Sequence, residues 1–173
     1  MERSALYRPE LADSFHSNWY DEAHFLQELP PTLRSEVAVH MKQDVLQRVE
    51  LFRGADPSFC REVAGHLEWE VLTPGGFIFR EGEEAGGMYF IVRGEVEALV
   101  GPELRGIRKM GPTDFFGEIA LFTDGPRTAS VRALEFAEVY RLSKVSIHRV
   151  AARYPDAVKP LKPKLDHDSP MPC

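Results

Sequence analysis

The feature that most limits how this chain can fold is a change of rhythm at Glu68. Before it, apolar residues recur every three or four positions; after it, they fall in short runs rich in β-branched and aromatic side chains. The runs are Val71-Leu72, Phe77 to Phe79, Met88 to Val92, Val96 to Val100, Val131 to Ala133 and Ala137 to Tyr140. Glycines divide them at Gly75-Gly76, Gly82, Gly86-Gly87, Gly94, Gly101, Gly106, Gly111 and Gly125. Many short strands with regular turn signals predict an α+β, mainly β fold: a jelly-roll β-roll, or double-stranded β-helix, flanked by N-terminal helices and a C-terminal helix.

The helices are read from period and punctuation. Leu11, Phe15, Trp19, Phe25, Leu26 and Leu29 give an imperfect stripe, split near Ser17 to Asp21. Pro30 and Pro31 stop it, and Thr32 is the expected cap of a second helix carrying Leu33, Val37, Met41, Val45 and Val49 as one apolar ridge. Asp56 followed by Pro57 marks a third helix, with Phe59, Val63 and Leu67 facing inward. Ser143 is the expected cap of a last helix through Val145, Ile147 and Val150 to Tyr154, which Pro155 ends or kinks.

Composition removes several function classes. Hydrophobic residues are 43% of the chain and charged residues 28%, the balance of a globular protein. No apolar run approaches the roughly 20 residues of a membrane-spanning helix, and no signal segment opens the chain, so a cytoplasmic location is expected. A net charge of −6 argues against nucleic acid or an anionic membrane surface as the main partner. Cys60 and Cys173 are the only cysteines, and no histidine or cysteine occurs from Val71 to Tyr140. A jelly-roll metalloenzyme needs such ligands on neighbouring strands, so no metal, no catalytic residue and no enzyme activity is expected. After the last helix, fewer than about twenty residues remain, too few for a DNA-reading helix-turn-helix.

One segment carries recognisable chemistry. Residues 115 to 131 read Phe-Phe-Gly-Glu-Ile-Ala-Leu-Phe-Thr-Asp-Gly-Pro-Arg-Thr-Ala-Ser-Val. A helical turn opening near Gly117 would offer free backbone N–H groups to an anion, with no side chain in the way. Arg127 offers charge-assisted hydrogen bonds of roughly 1.5 to 3 kcal/mol to the same anion, and Thr128 a hydroxyl. Glu118 would repel a bare phosphate but can accept from a hydroxyl of the same ligand. A sugar phosphate satisfies both demands.

That segment resembles the phosphate-binding cassette of cyclic-nucleotide-binding domains. Pro74 to Gly82, followed by Met88 to Val96, resembles their β-roll in order and spacing. Leu29 to Val37 and Val49 to Asp56 are similar to the end of the C-linker and the start of the domain in cyclic-nucleotide-gated and hyperpolarisation-activated channels; Tyr154-Pro155-Asp156 matches the end of their penultimate helix. The resemblance implies that Arg127 pairs with the cyclic phosphate of cAMP or cGMP and Glu118 with the ribose 2′-hydroxyl. It implies ligand contacts for Gly117, Ile119 and Ala120 in the cassette turn, a guanine-favouring role for Thr128, and an apolar wall for the purine at Val100 and Met110. It divides the chain into a helical linker-like segment (1–50), a nucleotide-binding β-roll (51–156) and a Pro-rich tail (157–173). Pro160 and Pro163 fall where the family has a long lid helix, and each costs about 3 kcal/mol inside a helix, so a short, kinked or missing lid is expected.

The implied function is a cyclic-nucleotide sensor acting by conformational switching, without cofactor. Its implied partners are a channel transmembrane domain or other effector in cis, and possible tetramer contacts through the N-terminal helices. The competing reading is a domain of the same fold that ignores nucleotide and serves assembly.

Overall fold

A computed structural model describes residues 29–119 and 125–158; expectations for 1–28, for Ala120 and for the tail beyond 158 lie outside the described residues. The chain divides into two units, Met1–Val39 and His40–Cys173, and the candidate site lies wholly in the second.

The first described helix, α1, runs Pro31–Arg48. It starts one residue before the expected cap, with Pro31 in the first helical position, where a fixed φ suits the helix and a missing N–H costs nothing. The expected ridge does not form a single buried face. A helix turns about 100° per residue, so a strict four-residue spacing drifts about 40° at each step, or about 160° from Leu33 to Val49. Accordingly burial rises along the ridge: Leu33 is exposed, Val37, Met41 and Val45 are half-buried, and Val49, just past the helix, is buried, with Gln43 and Leu46 the buried residues within the helix. A 3-10 turn at Glu50–Phe52 follows, then α2 (Pro57–Gly65). Asp56 caps α2 as the sequence indicates, its Oδ1 accepting from the amides of Ser58 at 2.8 Å and Phe59 at 3.1 Å.

Eight strands then build two antiparallel four-stranded sheets. They are β1 (Glu68–Leu72), β2 (Phe77–Phe79), β3 (Gly87–Arg93), β4 (Val96–Val100), β5 (Arg105–Met110), β6 (Phe115–Phe116), β7 (Ser130–Ala133) and β8 (Ala137–Ser143). One sheet has the order β1-β8-β3-β6 and the other β2-β7-β4-β5. Only β4 and β5 are consecutive neighbours in one sheet; every other link crosses to the opposite sheet, which is the jelly-roll pattern. Strand β5 escapes a reading by alternation because it carries Arg105, Arg108 and Lys109 and only Met110 is buried. Gly106, expected in a turn, lies inside this strand opposite Leu99, where a Cβ would stand 2.5 Å from Glu97 Oε1. Gly87, also expected in a turn, opens β3 against Ser143.

Alternation along β3 sends side chains to two cores. Tyr89 and Ile91 join Phe79, Val96, Ala98, Met110, Phe116, Val131 and Val139 between the sheets. Phe90 faces the other way and meets Phe52 at 5.6 Å between ring centroids; Phe52 in turn meets Phe59 of α2 at 6.2 Å. Helix α3 (Lys144–Arg153) packs on this outer face beside α2, capped by Ser143 Oγ, which accepts from the Ser146 amide at 3.1 Å. Pro155 ends α3 and begins a further short helix, α4 (Pro155–Val158).

Candidate functional site

Strand β6 ends at Phe116, and the next residue, Gly117, has φ +77°, a conformation strained for any side-chain-bearing residue. Its need for glycine is also spatial: an added Cβ would lie 2.7 Å from Nη1 of Arg127 and 3.3 Å from the Gly87 carbonyl oxygen. Gly117 is thus where the cassette turn and the arginine come together across ten residues of chain. Glu118 continues the turn and Ile119 is helical.

Arg127 is pinned at both ends. Its backbone amide donates to the Glu83 carbonyl at 2.8 Å, and its own carbonyl accepts from the Gly82 amide at 2.8 Å. The residue as a whole is only 7% exposed, and its guanidinium is held in place. There Nη2 donates to the Gly87 carbonyl at 2.8 Å and Nη1 to the Gly117 carbonyl at 3.1 Å. The same group lies over the Phe79 ring, 3.8 Å from its centroid, and 5.9 Å from that of Tyr89. Burial lowers the Arg127 pKa from its ordinary value, opposed by Tyr89 and Glu118. A guanidinium nevertheless stays protonated in proteins. Nε is buried and, among the described residues, has no hydrogen-bond acceptor. A buried charged group with an unmet donor is costly, by about 1 to 3 kcal/mol or more, and an anion arriving at Nε removes that cost.

Arg127 opens onto a cavity of about 300 Å³. Gly117, Glu118, Ile119, Arg127 and Thr128 all line it, as do Val100 and Met110. Seven of the eight residues singled out from sequence therefore share one cavity, and the eighth, Ala120, lies outside the described residues. Thr128 and Ile119 are exposed, Glu118 and Val100 half-buried, and Met110 buried at the inner end of β5. The cavity has a polar end, at Gly117 and Arg127, and an apolar wall on β4 and β5.

Sequence reasoning missed part of that lining. Phe79, Ala98, Ile107 and Val131 extend the apolar wall, and Arg108 adds a cation. Alternation along β4 could have found Ala98, two residues before Val100; Ile107 and Arg108 were hidden with strand β5. Arg48, Glu50 and Arg53 reach the cavity from the end of α1 and the 3-10 turn, far away in sequence, and no local signal marks them.

The cyclic nucleotide-binding domain family matches residues 69–154. The chain is 37% identical over 143 residues to the potassium/sodium hyperpolarization-activated cyclic nucleotide-gated channel 2 of Mus musculus, covering 82% of this chain and 16% of the channel. It is 38% identical over 138 residues to channel 1 of Oryctolagus cuniculus, covering 79% of this chain and 15% of that one. The chain thus spans less than a fifth of the length of these relatives. Among solved structures, cAMP-bound PfPKA-R superposes with a TM-score of 0.68 at 26% identity, covering 78% of this chain and 44% of that one. The regulatory domain of Toxoplasma gondii PKA with cAMP gives 0.67 at 27% identity, over 76% of this chain and 49% of that one. With the jelly-roll order, the glycine–arginine junction and the family match falling on the same residues, the chain belongs, through residues 69–154, to the cyclic nucleotide-binding domain family.

Proposed function

We propose that the cavity binds a purine cyclic nucleotide, cAMP or cGMP, and that the domain is a regulatory sensor which changes conformation on binding and performs no bond chemistry. The observation that carries this reading is the state of Arg127: buried, charged, and with an Nε that has no acceptor among the described residues. A cyclic phosphodiester is a compact monoanion that fits this donor, and the half-buried Glu118 on the same wall suits a ribose hydroxyl. Val100, Ile107 and Met110 offer the purine an apolar surface. Gly117, Ile119 and Ala120 are assigned to the turn that closes around the phosphate, and Thr128 to its rim.

The similarity to channels supports a setting in which the domain sits on the cytoplasmic side of a membrane and biases a channel or comparable effector in cis. In that setting the N-terminal helices are the natural route to the effector and to neighbouring subunits. Ligand preference for a closed arrangement would shift the population of effector states by its difference in affinity for the two.

Isothermal titration of the purified chain with cAMP and with cGMP tests the reading. Wild type binds at least one of them. Arg127→Glu, which replaces attraction by repulsion at the phosphate, loses most of the affinity while remaining folded by circular dichroism. Equal affinity in wild type and variant would place the anion elsewhere and overturn the assignment.

A further inference from the structure

The charges lining the cavity do not all cancel. Among the described residues, the lining holds four arginines, at 48, 53, 108 and 127, and three carboxylates, at 50, 114 and 118. Arg53 pairs with Glu50 at 2.7 Å, and Arg108 stands 3.9 Å from Asp114. Arg127 is held by carbonyls and faces the phosphate end. Arg48 is exposed, has no ion-pair partner among the described residues, and is contributed by a different element, the last turn of α1. As the last residue of a helix it is favoured by the helix dipole, a modest term that does not require it to line a cavity.

A nucleotide whose phosphate is met at Arg127 and whose base rests on the β4–β5 wall has one face of its purine still to be covered. A guanidinium is planar, weakly hydrated and well suited to stack on a heteroaromatic ring or to donate to its edge. We infer that Arg48 is a ligand contact supplied by α1, its guanidinium meeting the purine of a cyclic nucleotide bound at Arg127. This rests on the cavity being the nucleotide site, and it goes beyond that reading by making the helix that precedes the β-roll part of the binding surface. Binding then fastens the end of α1 to the roll directly, without passing through the C-terminal segment.

Titration of wild type, Arg48→Gln and Arg127→Glu with cAMP and cGMP tests this, together with thermal melts in the presence and absence of nucleotide. Arg48→Gln should weaken binding about tenfold, the size of a partly desolvated guanidinium–ring contact. Its melting temperature without ligand should match wild type, and the upward shift produced by nucleotide should shrink. Hydrogen exchange on wild type supplies a second reading that needs no variant: amides of residues 40–48 should slow when nucleotide is added. If Arg127→Glu abolishes binding while Arg48→Gln stays within twofold of wild type, the inference fails and the nucleotide site stands. Absence of any protection at 40–48 would also contradict it. If wild type binds neither nucleotide, the nucleotide site and the role of Arg48 fall together.

Discussion

Gly117 and Arg127 depend on each other in a way that single-residue reasoning does not capture. The glycine is there because a guanidinium sits where its side chain would be, and the guanidinium is there because two carbonyls, at Gly87 and Gly117, hold it. Gly117→Ala combines a left-handed φ with a Cβ 2.7 Å from Nη1, so it should destabilise the fold by about 1 to 3 kcal/mol in urea unfolding and weaken nucleotide binding as well. A stable variant with unaltered affinity would show that the turn and the arginine are independent. Thr128 is a separate case: exposed at the rim, it can be altered without disturbing the core. Thr128→Ala should weaken cGMP more than cAMP in titration, and equal losses for both would remove its role in selectivity. Both residues were legible in the sequence because they fall in one contiguous motif. The carbonyl of Gly87 was not, since nothing in a glycine pair announces which distant cation it will accept from.

At the scale of the element, capping residues and alternation were good guides, and fixed spacing was a poor one. Asp56 and Ser143 cap the helices they were expected to cap because each brings its own acceptor to a local N–H, a short-range bond that sequence records directly. The α1 ridge is covered only from Val37 onward because a four-residue repeat drifts from the helical period, and strand β5 was missed because its outward side chains are cationic. That strand exists through its pairing with β4, a tertiary cause, and with it the apolar wall at Ile107 went unseen. Strand β3 shows the reverse, an unbroken apolar run explained by burial on both faces. Phe90, fully buried on the helix side, ties β3 to Phe52. Phe90→Ala should cost about 3 to 5 kcal/mol by urea denaturation, and a loss under about 1 kcal/mol would mean that the outer core is dispensable.

For the whole molecule, the jelly roll brings residues from β2, β4, β5, β7 and the cassette turn around one cavity whose polar end is stacked on the core itself. Arg127 lies over Phe79, and Phe79 contacts Tyr89 and Phe116 at 5.8 Å and 5.9 Å between centroids, so the charged centre of the site and the inter-sheet core are continuous. Any displacement of the guanidinium would therefore be felt by these packed rings. The β-roll was legible because its turns are glycine-marked and its strands mostly apolar; the approach of Arg48 from another element was not, since it depends on how α1 packs. The most direct test of the account is a crystal structure with cAMP or cGMP bound. A phosphate oxygen should lie within about 3.2 Å of Nε of Arg127. A nucleotide seated away from Arg127, with that nitrogen still lacking an acceptor, would contradict it.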